Sequence, residues 1–123
     1  MTERAERWLD DARPETPCLV VDLERVVTNY RALAAAVPDA RIFYAVKANP
    51  APDLLARLVA LGAHFDVASV AEIDEVLAAG APVERLSYGN TIKKERDIAA
   101  AYARGVRLFA FDAAAELDKL ARA

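Results

Sequence analysis

Four short apolar runs recur along the chain at a nearly constant interval, and that interval limits the folds open to it. They are FYAVK from Phe43, FDVAS from Phe65, LSYGN from Leu86 and LFAFD from Leu108, at steps of 22, 21 and 22 residues. Each is short and carries β-branched or aromatic residues, as strands of a buried sheet do. Between them lie helical patterns with their own punctuation. In APDLLARLVALG, Leu54, Leu55, Leu58, Val59 and Leu61 form one apolar face, Pro52 suits a first turn and Gly62 a C-terminal cap. SVAEIDEVLAAG opens with the capping-box spacing Ser69 to Glu72, turns Ile73, Val76 and Leu77 inward and closes at Gly80. KKERDIAAAYARG runs through Ile98 and Tyr102 to Gly105, and beyond Asp112 the chain is helical again through Leu117 and Leu120.

Four strand-then-helix units in series predict an α/β fold of parallel strands joined by right-handed helical crossovers, with all strand carboxyl ends on one edge. Function in such folds concentrates at that edge. The preceding CLVVDLERVVTNYRALAAAVPD reads as one further strand and a helix capped by Asp22, with Val26, Val27, Tyr30, Leu33 and Val37 on one side. Four units are too few to close a barrel of eight, which leaves an open sheet as the alternative. The final AELDKLARA stops inside a helical pattern without a cap, as a chain would if it had been cut.

Length and charge narrow the partners. A chain of 123 residues, 55% hydrophobic and 28% charged, has material for one core and one domain. Its net charge of −3 is spread without long blocks, which gives no footprint for nucleic acid or an anionic membrane and points to small molecules or protein. Cys18 is the only cysteine, so an intrachain disulfide is impossible, and its place in the apolar CLVV predicts a small buried side chain. The charged opening MTERAERWLDDARPETP lacks the apolar core of a secretory signal, and no run is long enough to span a bilayer; a cytoplasmic location is the expectation.

The strand ends carry Lys47 with Asn49, Asp66 with Ser69, Asn90 with Thr91, and Asp112. Alternation along the first strand sets Phe43, Ala45 and Lys47 on one face and Ile42, Tyr44 and Val46 on the other. A lysine after an apolar run is expensive to bury unless paired, so Lys47 stands either at the mouth of the sheet or there for its chemistry. Partly desolvated, it would present a neutral amine to an aldehyde, with Asp66 to tune it. The alternative is a Lys47–Asp66 ion pair that only completes a strand end. All four glycines have local explanations, so neither a dinucleotide fingerprint nor a P-loop is present, and His64 is alone without partners at metal-ligand spacing.

TPCLVVDLERVVTNYRAL, FYAVKANP, FDVASVAEI and YGNTIKKERDI, in this order, resemble the N-terminal part of the alanine-racemase-like barrel family of pyridoxal-phosphate decarboxylases, and within it the ornithine decarboxylase group. The resemblance runs from about Thr16 to the last residue. It implies that residues 1–123 are the N-terminal half of a TIM-type (β/α)8 barrel that binds pyridoxal 5'-phosphate. It matches Lys47 to the lysine that attaches the cofactor, Ala45 to a small residue beneath it, Asp66 to an aspartate beside the attachment point, and Glu72 to an acidic residue near that lysine. Glu72 keeps its capping-box reading as well.

The implied reaction is decarboxylation of a basic L-amino acid, L-ornithine to putrescine foremost and lysine second, by a homodimer. Diaminopimelate decarboxylases share the lysine motif, and YGNTIK tilts the reading toward ornithine. A non-catalytic pyridoxal-phosphate-binding barrel and a protein-interaction domain with an incidental lysine are the remaining rivals. The family's phosphate loop, its acidic partner of the pyridine nitrogen and its stacking histidine belong to later strands, and a C-terminal β-domain completes its site. These 123 residues are therefore expected to be inactive alone.

Overall fold

In the computed structural model, which describes residues 1–123, each of the four apolar runs forms a strand: β1 Phe43–Ala45, β2 His64–Val67, β3 Leu86–Tyr88 and β4 Leu108–Phe109. They pair in parallel in sequence order, β1 with β2, β2 with β3 and β3 with β4. Consecutive parallel neighbours require a crossover between each pair, and the helical patterns supply it. In chain order the helices are α1 Glu3–Ala12, α2 Leu23–Ala36, α3 Pro52–Ala60, α4 Val70–Ala78, α5 Glu95–Ala103 and α6 Ala114–Arg122. None is long and apolar enough to cross a membrane.

The register separates the two faces of the sheet. Tyr44, Phe65 and Leu86 align in one row and Val67, Tyr88 and Phe109 in another. Within these rows Phe65, Val67, Leu86 and Tyr88 are buried, as are Leu54, Leu55 and Leu58 of α3, Ile73 and Val76 of α4, and Ile98 and Ala101 of α5. This helix-covered face is the core, and burying so many full side chains is the main source of stability. The opposite face carries Phe43 beside His64 and the row Ala45, Asp66, Ser87, all only partly buried. Helix ends follow their sequence signals. Gly62 takes φ +81° after α3, with Ala63 N–H donating to Leu58 O at 3.1 Å.

The chain divides into two units, Met1–Ala40 and Arg41–Ala123, where length alone suggested one domain. In the first, α1 is capped by Thr2, whose hydroxyl accepts from Ala5 N at 3.3 Å and donates to Asp22 at 2.6 Å. Asp22 caps α2 as expected, accepting from the backbone N–H of Glu24 and Arg25. These contacts hold the Asp22 carboxyl below its ordinary pKa, the Thr2 hydrogen bond foremost.

Several expectations fail in informative ways. CLVVD forms no strand: residues 18–22 have no ladder partner, and Leu19 is 83% exposed. Cys18 is accordingly exposed, not buried. Of the apolar side of α2, only Val27 is buried.

Candidate active site at the carboxyl edge

Lys47 does not continue β1. The strand ends at Ala45, and Val46–Ala48 form a single 3-10 turn in which Val46 is buried and Lys47 is exposed. The alternation drawn through Lys47 therefore stops at Ala45, because a turn rotates side chains by about 120° per residue rather than by half a circle. The turn is held from both sides. Asn49 N–H donates to Val46 O at 3.1 Å, the Tyr44 hydroxyl donates to Asn49 O at 3.0 Å, and Asn49 Oδ1 accepts from Ala51 N at 3.0 Å. The amine thus stands in solvent on a fixed backbone, and the desolvation expected of it is not supplied by these residues.

Asp66 lies in β2 with Ala45 and Ser87 as its registered neighbours. Partial burial raises its pKa, and the Lys47 ammonium acts in the opposite sense through space. Ala45, the small residue of the sequence motif, leaves this side of Asp66 open. On the other side the lack of a side chain at Gly89 makes room for the carboxylate. A Cβ on Gly89 would stand 1.9 Å from Asp66 Oδ1, well inside any tolerable contact. The recess that Gly89 leaves over the end of β3 is where the Asp66 carboxylate rests.

Glu72 is engaged in capping. Its Oε2 accepts from Ala68 N at 2.7 Å while the Ser69 hydroxyl accepts from Glu72 N at 3.2 Å, a reciprocal pair at the start of α4. The acceptor contact falls on Ala68, one residue ahead of the cap, so Glu72 fastens the backbone just beyond Asp66. His64 packs its ring 4.9 Å from that of Phe43; burial lowers its pKa, assisted by Arg41 and Arg85. No group of three or more His, Cys, Asp or Glu gathers to hold a metal ion.

Two residues were overlooked in the sequence. Gly89 is the one glycine of four that follows a strand, which was a readable signal. Lys93 left none, since its partners come from α6 and from the end of β4. Its side chain is 0% exposed, its Nζ donates to Asn90 O at 2.8 Å and Ala110 O at 2.6 Å, and the ammonium forms an ion pair with Glu116 Oε1 at 2.9 Å. Glu116 also accepts from Lys93 N at 2.9 Å and pairs with Lys119. The hydrogen bond from Lys119 first, then those from Lys93, hold its carboxyl at about 2 against the opposing effect of burial.

A parallel sheet with helices on one face, and an exposed lysine beside an aspartate at its carboxyl edge, is the arrangement of one end of a β/α-barrel enzyme domain. Residues 23–123 match the family described as "Pyridoxal-dependent decarboxylase, pyridoxal binding domain", and the chain belongs to that family. Over 111 residues it is 42% identical to the lysine/ornithine decarboxylase of Selenomonas ruminantium, covering 90% of this chain and 28% of that protein. It is 43% identical over 104 residues to the chloroplastic ornithine decarboxylase of Nicotiana glauca, covering 85% of this chain and 24% of that one. The solved lysine/ornithine decarboxylase of Vibrio vulnificus, complexed with putrescine, superposes with a TM-score of 0.86 at 29% identity over 97% of this chain and 33% of its own. The chain therefore spans about a quarter to a third of the length of these relatives. The four units correspond to part of a TIM-type barrel, in agreement with the fold expected above.

Proposed function

We propose that this chain supplies the cofactor-attachment side of a pyridoxal-phosphate-dependent decarboxylase of basic L-amino acids, acting on L-ornithine to give putrescine. The observation that carries the reading is Lys47: an exposed amine on a braced turn, within electrostatic reach of Asp66, in a domain of this family. The relatives named ornithine and lysine/ornithine decarboxylases support the basic amino acid as substrate. The absence of any charge block suited to nucleic acid or membrane agrees with a small-molecule substrate and a cytoplasmic enzyme, working as a homodimer.

The residues present fit the cofactor at its attachment end. Lys47 offers the amine, Ala45 is small, and Asp66, seated in the recess that Gly89 leaves, places its carboxyl group within electrostatic reach of the amine. When bound, pyridoxal phosphate supplies an aldehyde for attachment and a ring that takes up the electrons released when carbon dioxide leaves. The protein's part at this edge is orientation and charge. The Tyr44–Asn49 bond fixes the backbone that bears the amine. Asp66 faces the Lys47 ammonium through space, which works against the rise that burial causes in its own pKa, and Glu72 keeps the end of β2 from fraying by holding Ala68.

The test is borohydride reduction of the native gene product saturated with pyridoxal phosphate, followed by peptide mass mapping. A phosphopyridoxyl adduct on Lys47 is the expected result, and an unmodified Lys47 would overturn the reading. A screen of ornithine, lysine and diaminopimelate for released carbon dioxide then separates the substrates, with ornithine expected to react fastest.

A further inference from the structure

A buried ammonium costs heavily in desolvation, and an apolar side chain would fill the same space without that cost. Lys93 nevertheless occupies the carboxyl edge with its side chain excluded from water and sets its ammonium against three named partners. Two of these are main-chain carbonyls: Asn90 O just beyond β3 and Ala110 O just beyond β4. The third is the Glu116 carboxylate, which compensates the charge. Lys93 is itself held, since Lys119 Nζ donates to its carbonyl at 2.5 Å and Glu116 accepts from its N–H.

The ties continue toward the candidate site. Asn90 Nδ2 donates to Ala68 O at 2.7 Å, across to the end of β2, and Ala68 N–H is the group that Glu72 binds. Ala110 N–H returns to Tyr88 O at 3.0 Å, and Gly89 N–H to Val67 O at 3.0 Å. The ends of β2, β3 and β4 are thus joined in one hydrogen-bonded chain with Lys93 at its buried end. Asp66 lies two residues before Ala68, and its carboxylate rests against Gly89, the neighbour of Asn90. Networks of this kind act as a unit, so a break at one member loosens the others.

We infer that Lys93 is a positioning residue: through Asn90 and Ala110 it holds the strand ends so that Asp66 stays beside Lys47. The inference rests on the functional reading above for what the edge is used for. It concerns residues that touch neither Lys47 nor Asp66, so it is separable from that reading by experiment.

The experiment compares the native gene product with its Asn90→Ala and Lys93→Met variants, using Arg104→Ala as a control with an exposed ion pair far from the edge. Two quantities are read: hydrogen exchange of peptides covering residues 66–69 in the cofactor-free protein, and the apparent dissociation constant for pyridoxal phosphate. Asn90→Ala removes one hydrogen bond of an exposed side chain and leaves the core intact. It is expected to speed exchange and weaken cofactor binding by about five-fold each, the equivalent of one such bond. Lys93→Met should shift both further in the same direction, and Arg104→Ala neither. If Lys93→Met does not fold, Glu116→Gln, which removes the charge partner of Lys93, takes its place beside Asn90→Ala. Unchanged exchange and unchanged affinity in a folded Asn90→Ala protein would overturn the inference, reducing Lys93 to a stabilising ion pair. If the unsubstituted protein takes no cofactor on Lys47, the functional reading fails instead, and the exchange measurement still decides whether the clamp exists.

Discussion

Two lysines follow strands at the same edge of this sheet, with opposite environments. Lys47, just past β1, is exposed and acts on Asp66 only through space. Lys93, beyond β3, has its side chain excluded from water, with its ammonium bonded to two carbonyls and paired with the Glu116 carboxylate. A fully paired ammonium has no proton to spare and no room for a substrate, whereas an exposed one on a rigid turn can react. On the proposed function, the same side chain serves as a structural cross-link in one place and a chemical handle in the other, and the difference lies in whether acceptors surround it.

The sharpest way to break this contrast is Lys47→Ala. Covalent attachment of pyridoxal phosphate should be abolished in the native gene product, read by reductive trapping. Stability should move by no more than about 0.5 kcal/mol, as for an exposed residue. Removing the ammonium should also raise the Asp66 pKa further, which carbon-detected NMR of its carboxyl would show.

Acid is the next largest lever, and it acts on the Lys93 side. The Glu116 carboxyl is held at about 2, below its ordinary value of 4.5, so the stability it confers is fully present above 4.5 and is lost as pH falls toward 2. Asp66 contributes with the opposite sign, since its raised pKa means that the fold gains as it takes up a proton. Chemical denaturation at pH 6 and pH 3 should therefore show a loss on acidification, and Glu116→Gln should reduce that loss.

Gly89→Ala tests the join between the two regions. The new Cβ meets Asp66 Oδ1, the free end of a side chain that can rotate, so stability should fall by only about 1 kcal/mol while the carboxylate leaves its recess. A shifted Asp66 carboxyl signal in NMR, with a nearly unchanged unfolding curve, is the expected outcome. The smallest effect is expected at Arg104→Ala. The Arg104–Asp74 contact is two-pronged, at 2.6 and 3.0 Å, but largely in water, and thermal melting should be almost unaffected.

How much of this was legible in the sequence depends on the range of the interaction. Strand positions, their parallel order and the caps at Asp22, Ser69 and Gly62 rest on residues close together in the chain, and they were read correctly. CLVVD was misread because an apolar run becomes a strand only if another strand lies alongside, which composition does not reveal. The position of Lys47 at the end of β1 was legible, but its 3-10 turn was not: that bend depends on Tyr44 reaching Asn49.

The repeating interval of apolar runs by itself determined an α/β sheet with one functional edge, and the YAVKAN lysine marked where on that edge to look. Only the tertiary structure decided that the Glu72 carboxylate binds Ala68 N, that the Asp66 carboxylate rests in the recess left by Gly89, and that Lys93 ties three strand ends together. The physical reason is distance along the chain. Lys93 meets Ala110 and Glu116 from 17 and 23 residues away, and Asn90 meets Ala68 from 22. Periodicity describes each element's own faces, but contacts of that span exist only once the elements have packed.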